Sequence, residues 1–431
     1  MTDVPGLYIH VPFCLSKCGY CSFTSITRTH LIPEFVRAVT QEMEFYNPSR
    51  ILSKTSPLNL FEKTTSSSFP RRRESRETLK RLDSRLRGND DENYPCKQGN
   101  GSGEPLFEGF DTIYIGGGTP SLLTASQIDT LLNSAHKNFT IDRDAEITME
   151  VNPGDLSTEY LAALKKMGIN RLNIGVQSFD DTLLKFLGRR HSATEAIAAI
   201  DAARKAGFDH IGIDFIYGVF GQDMTGWRQT LQKALTFSPE HLSCYQLSLD
   251  VKTPLYLYYQ EHSLSLPSEN EELDLFLNTS QILTDAGYIH YEVSNFARND
   301  SLKSRHNTKY WRHIPYLGLG PSAHSFLKNR RWWNKAAVAG YLKDLSNNQS
   351  PVDQFEELSS DQLALEALFL GLRTKEGINI SRYHNLYGID LINDKRIVQK
   401  ELIASRLVEI QDGHLRPTLS GMAVADSLAL I

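Results

Sequence analysis

The chain has 431 residues, 40% of them hydrophobic and 23% charged, with a net charge of −5. That length buries a sizeable core, and the charge balance gives no global reason to expect a nucleic-acid partner. No apolar run approaches the roughly 20 residues that cross a bilayer, the N-terminus lacks the basic and apolar regions of a signal peptide, and five cysteines, three of them crowded together, suit a reducing cytoplasm better than a disulfide framework.

In chain order, LYIHV (7–11) reads as the first strand, and three cysteines follow it at once: Cys14, Cys18 and Cys21. An amphipathic helix is expected over 33–45. A Ser-, Arg-, Asn- and Gly-rich stretch then fills 47–108, far longer than an ordinary connection. Within it, SFPRRRES (68–75) and DSRLRGND (83–90) can be encoded by complementary strands of one DNA hairpin, so the stretch reads as a translated palindromic repeat, an insertion without ordered structure. An arginine-rich RNA-binding arm is the alternative, disfavoured by interspersed acids and absent aromatics.

Beyond it, strands are expected at 112–116, 146–151, 171–176, 210–218, 241–247 and 288–293, alternating with helices at 125–137, 157–167, 192–206, 226–236 and 270–286. Such alternation predicts an α/β fold, a parallel sheet covered by helices. Six or seven units point to an opened, partial TIM-type barrel, whose chemistry sits at the C-terminal ends of its strands. This domain is expected over 1–345, with a linker near 345–358. A small helical, winged-helix-like module is expected over 355–431, from helices at 361–374 and 395–407, a hairpin turning at Asp412-Gly413 and a helix from Ser420.

Three clustered thiolates can hold zinc, completed by His10 or His30, or three corners of a four-iron cube with the fourth iron open. At the end of the next strand, GGGTPS (116–121) brings backbone amides close to a ligand, or simply makes a tight turn. Glu150, Gln177, Arg189 and Asp214 each end or follow a strand, as site residues or as ordinary caps and ion pairs.

Taken together, YIHVPFC, CGYCSF, GGGTPS, EVNP, GVQSF and IDFIYG resemble the radical S-adenosylmethionine (SAM) superfamily. Within it they are similar to the oxygen-independent coproporphyrinogen III dehydrogenase branch, which includes the HemW haem chaperones. The resemblance covers the chain except 47–108. It implies a 4Fe–4S cluster on Cys14, Cys18 and Cys21, with the open iron binding the amino and carboxylate groups of SAM. It implies Tyr8, Tyr20, Gly117, Gly118, Thr119, Glu150, Gln177, Arg189 and Asp214 as further cluster and SAM residues.

Two departures separate the branches. The decarboxylating enzymes resemble CxxxCxxCxC, where this chain has Phe23, and they carry a segment before the first strand that helps close the substrate site. RHNTKYW (305–311) matches the HNxxYW motif of the HemW group. It implies His306 as an axial haem ligand with Tyr310 and Trp311 on the porphyrin face, unless these residues cap backbone and fill core. In GLGPSAHSF (318–326), His324 is a second candidate ligand, or a wall of the SAM site. The resemblance thus implies a cytoplasmic haem chaperone that binds haem, cluster and SAM and passes haem to acceptor proteins, membrane respiratory proteins among them. Oxidative decarboxylation of coproporphyrinogen III is the enzymatic alternative, and RNA binding a third.

Overall fold

The computed structural model describes residues 3–48, 107, 109–262, 264, 266–393 and 401–428. The 47–108 stretch, with Cys96, lies almost wholly outside the described residues, as does the first half of the helix expected over 395–407.

The six strands β1 (Gly6–Val11), β2 (Gly109–Gly117), β3 (Thr140–Val151), β4 (Arg171–Gln177), β5 (Ile211–Tyr217) and β6 (His241–Gln246) lie side by side and parallel. Side chains alternate between the two faces of a strand. Leu7, Ile9 and Val11 join the apolar core, whereas Tyr8 and His10 take the opposite, concave face. Helices such as Ala125–Asn138 and Ala193–Lys205 cover the apolar face. Both start in capping boxes, Thr124 with Gln127 and Ser192 with Glu195, which satisfy amides that a first turn leaves free.

The seventh expected strand does not extend the parallel set. β7 (Ile289–Glu292) turns back within two residues into β8 (Asn295–Ala297), and β8 pairs antiparallel with β6, so this hairpin ends the sheet. Four unexpected strands lie beyond β1. β9 (Tyr316–Leu319) runs parallel to it, and β10 (His324–Leu327), β11 (Arg330–Asn334) and β12 (Val352–Glu357) follow antiparallel. The result is one open sheet of 12 strands edged by β12 and β7. Residues 352–357 are therefore an edge strand of the main sheet, not part of a linker.

RHNTKYW forms the helix Arg305–Trp311, set at the N-terminal end of the parallel strands. The Glu146 carboxylate accepts from the amides of Arg305 (3.1 Å) and His306 (3.0 Å), and Lys309 pairs with Asp111 at 2.6 Å. A negative charge at the first turn and a buried lysine on a carboxylate hold the helix as a plug. At the same end of the barrel, helix Ile32–Phe45 leads into Tyr46, whose hydroxyl accepts from the Trp332 indole at 3.1 Å. Phe107 packs on the same indole, with ring centroids 6.3 Å apart.

After β12, helix Ser360–Gly371, β13 (Ile378–Asn379), helix Ile380–Tyr387 and the hairpin β14 (Val408–Gln411)–β15 (His414–Pro417) enclose a separate apolar cluster that includes Leu372, Tyr383 and Leu415. The three strands lie in the order β13-β15-β14, and positive φ at Asp412 and Gly413 makes the tight turn. The module is laced to the barrel edge: the amide of Val293 donates to Arg373 and that of Lys375 to Tyr291, each at 3.0 Å. Among the described residues no helix is long and apolar enough to cross a membrane.

Candidate metal centre and ligand cavity

The loop after β1 closes on itself before it presents its sulfurs. The amide of Cys14 donates to Ile26 at 3.0 Å and that of Ile26 to Pro12 at 2.8 Å; further on, the amide of Cys21 donates to Cys18 at 3.2 Å. The three thiols are partly exposed. They edge a cavity of about 420 Å³ at the C-terminal ends of the parallel strands, a volume typical of small-molecule sites. Among the described residues, no three or more His, Cys, Asp or Glu side chains gather closely enough to hold a single ion; a cube takes its thiolates on separate irons, farther apart. Burial first, and then Cys18 and Cys14, push the Cys21 thiol up, a cost that a bound cationic centre reverses. His10 is not free to complete a zinc site. Its Nε2 donates to Thr24 at 2.9 Å and its Nδ1 accepts from Tyr8 at 3.0 Å.

The glycine run is held against the cysteine loop from below. Gly118 donates to Val11 at 2.8 Å and Thr119 to Phe13 at 2.7 Å, while the Thr119 hydroxyl reaches the Cys14 sulfur at 3.5 Å. A side chain on Gly118 would meet the Phe13 carbonyl at 2.6 Å, and Gly117 takes φ +112°, so the sequence needs glycine at both. The amide of Gly117 donates to Glu150 at 3.0 Å, and Tyr114 donates to the other carboxylate oxygen at 2.8 Å.

Arg189 ties the opposite wall to the sulfurs. Its Nη2 donates to Asn152 (2.8 Å) and to Gly175 (2.9 Å), and its Nη1 lies 3.7 Å from the Cys18 sulfur. Gln177 holds φ 67°, a conformation that L-residues seldom adopt and that clusters at ligand sites. Asp214 faces Glu150 across the floor. Burial, then the charge of Asp214, push Glu150 up to about 7 against the hydrogen bonds from Tyr114 and Gly117. Burial raises Asp214 to about 6, against a Ser243 hydrogen bond and the charges of Arg171 and Arg189. Two acids that resist joint ionisation favour a cationic guest.

The lining also carries unmet hydrogen-bonding capacity. Asn152 Nδ2, Asn173 Oδ1, Arg189 Nε and Asp214 Oδ1 are buried without a partner among the described residues, and such atoms are costly unless something binds them. Donors aimed at sulfur, a cation-seeking floor and unpaired polar atoms on the walls fit a three-thiolate cluster with an amino-acid nucleoside sulfonium beside it.

Of the residues expected at the site, the cavity brings together Cys14, Cys18, Tyr20, Cys21, Gly117, Gly118, Thr119, Glu150, Gln177, Arg189 and Asp214. It does not include Tyr8, His306 or His324. Tyr8 lies one layer down, its ring centroid 6.1 Å from Tyr114. His306 lies below both, 1% exposed, its nitrogens paired with the hydroxyls of Thr112 (2.8 Å) and Tyr310 (2.9 Å) and its ring stacked on Tyr114. That is a core histidine with no free lone pair, so the structure does not present it as an open iron ligand. His324 is exposed on β10. Sequence reasoning missed Tyr114, Asn152, Asn173 and Tyr245, all on the lining. Strand parity signals two of them: Tyr114 in TIYIG and Asn173 in RLNIG are polar positions inside otherwise apolar runs.

Residues 105–234 match the radical SAM superfamily and residues 358–424 the HemN C-terminal domain. The class is therefore a radical SAM protein with a HemN-type C-terminal module, and the superfamily implies a 4Fe–4S cluster and SAM. The fold is that of the radical SAM coproporphyrinogen III oxidase HemN from Escherichia coli, with a TM-score of 0.74 at 21% identity over 99% of this chain and 89% of that one. The heme chaperone HemW of Lactococcus lactis is 30% identical over 90% of this chain and 89% of its own length, and that of Bacillus subtilis 29% identical over 98% and 97%. The chain belongs to the HemW family.

Proposed function

We propose that this protein is a haem chaperone of the cytoplasm: it binds haem together with its cluster and SAM, and delivers haem to acceptor proteins, membrane respiratory proteins among them. The observation that carries this reading against decarboxylation is Phe23. Where the decarboxylating pattern has a further cysteine two residues after the third, this chain puts an apolar side chain, 64% exposed, on the lining of the cavity. The match to HemW proteins along nearly the whole chain supports the same reading.

In this reading Cys14, Cys18 and Cys21 hold the cluster, and the cluster, once bound, supplies an open iron for SAM and an electron for its sulfonium. The residues around it position and hold charge. The glycine run and Glu150 are set for an ammonium group, Arg189 for a carboxylate, and Asp214 with Gln177 for ribose hydroxyls. The test is side by side: anaerobically reconstituted protein is given hemin in one arm and coproporphyrinogen III with SAM and reductant in the other. The expected result is a shifted Soret band, haem transfer to an apo-acceptor and no protoporphyrinogen. Sustained turnover with carbon dioxide release overturns the reading.

A further inference from the structure

A histidine that ligates haem iron needs a ring nitrogen with a free lone pair that the porphyrin can reach. The 13 histidines of the chain all fall among the described residues. His10, His191, His290 and His306 are buried with both ring nitrogens engaged, and His241 is buried against Tyr291. His30, His136 and His384 are exposed on turns and helices away from the concave face, and His414, on the C-terminal hairpin, has both nitrogens engaged by Asp412 and Asn379. His313 is half-buried with its Nε2 3.4 Å from the Glu366 carboxylate, and His210 precedes β5 at the N-terminal end of the strands.

His324 is different. Phe326 pairs with Tyr316 across β10 and β9, and Tyr316 packs on Tyr310 of the plug helix, centroids 4.7 Å apart. Paired residues share a face, and so do residues two apart on a strand. His324 therefore lies on the concave face that also carries Tyr8 and Tyr114, two strands from β1 and so roughly 10 Å along the sheet. It is exposed there, and neither ring nitrogen bonds a described residue. Its imidazole stacks on its cross-strand partner Trp333, with centroids 5.4 Å apart and planes 25° from parallel, which fixes the plane of the ring. Two residues before it, Ser322 accepts from the Thr24 hydroxyl at 3.1 Å, which fastens this shelf to the loop that carries the cysteines. Desolvation, then the Arg331 charge, lower the imidazole pKa and favour the neutral ligand form.

We propose that an iron porphyrin binds on this shelf with His324 as an axial ligand to iron and Trp333 holding the imidazole in place. The proposal rests on the haem-chaperone reading and names the seat that this reading leaves open. It also separates two tasks in space: the cavity takes the cluster and SAM, and the lip of the sheet takes the cargo, from which an acceptor can lift it.

The test is hemin titration of the full-length, cluster-loaded protein, read by Soret absorption and by resonance Raman for iron–histidine ligation. Wild type is compared with His324→Ala, His324→Gly with added imidazole, and His262→Ala. His262 is the rival, since it is exposed and stacked on Tyr258, with its Nδ1 bonded to the Tyr258 carbonyl. The expected result is histidine ligation in wild type and His262→Ala, its loss in His324→Ala, and its return when imidazole is added to His324→Gly, with iron–sulfur absorption unchanged throughout. Histidine ligation that survives in His324→Ala overturns the proposal while leaving the chaperone reading intact. Wild type that binds no hemin overturns both.

Discussion

The backbone amide of Thr119 donates to the carbonyl of Phe13 at 2.7 Å, so the glycine run of β2 and the residue just before Cys14 are built as one piece. Gly118 makes the junction fit: a methyl group there would stand 2.6 Å from the Phe13 carbonyl and 2.9 Å from that of Val11, both rigid backbone. Gly118→Ala should therefore displace the cysteine loop, destabilise the protein by about 1–3 kcal/mol and lower its iron content on reconstitution. Denaturant melts and iron assay check this; a variant with wild-type stability and iron would show that loop and strand are not coupled.

The thiols divide by position. Cys14, Cys18 and Cys21 edge the cavity, whereas Cys244 is buried and its thiol is pushed up by burial. Serine at any of the first three should abolish the broad visible absorption of the reconstituted cluster, and Cys244→Ser should retain it. Equal loss in all four variants would remove the three-thiolate site.

The facing acids give SAM binding a pH dependence with a definite sign. With Glu150 raised to about 7 and Asp214 to about 6, the empty site holds protons at mildly acidic pH that a cationic ligand must displace. Affinity should then rise from pH 5.5 to pH 8 and level off once both carboxylates are ionised. The same raised values make the unliganded fold bind more protons than the unfolded chain between their ordinary and raised pKa, so this pair lowers stability as pH climbs through that window. Calorimetry at several pH values checks the first sign and pH-dependent melting the second. Affinity that falls with rising pH would contradict both assignments.

His306 serves the plug. Its imidazole bridges Thr112 and Tyr310 beneath Tyr114, the residue that holds Glu150. His306→Ala would leave two buried hydroxyls unpaired and a cavity behind, and should cost about 2–4 kcal/mol. Haem ligation should survive at temperatures where the variant is folded. Loss of iron–histidine ligation in a fully folded His306→Ala would return this residue to the haem site.

The parallel strands and their helices could be read from the sequence because each is a short apolar run or an amphipathic repeat bounded by turn residues. The cavity residues were legible for a related reason: Glu150 and Gln177 are polar at strand ends, and Asp214 is polar in the middle of the otherwise apolar run of β5, where no core packing requires them. What escaped were features that only tertiary pairing defines. YLGL becomes β9 by pairing with β1, more than three hundred residues earlier, and VDQFEE becomes an edge strand by pairing with β11. The HNxxYW segment carries the polar groups of a binding motif. In this chain its histidine and lysine are spent on Thr112, Tyr310, Asp111 and the Val4 carbonyl. Only the three-dimensional contacts separate a core polar cluster from an open one.

Trp332 receives both Tyr46 and Phe107, the residues that flank the long stretch between the first helix and β2. The chain thus leaves and re-enters the fold at one aromatic contact, at the end of the barrel opposite the cavity. Loop-closure entropy grows only slowly with length, so a tether of a few glycines and serines in place of residues 49–106 should leave melting temperature, cluster and SAM binding unchanged. A cooperative loss of stability would show that the stretch contributes contacts of its own. The same doorway is where an engineer would graft a fluorescent domain or an affinity handle: whatever is hung there stands a full barrel length from the chemistry, and a genome has the same freedom.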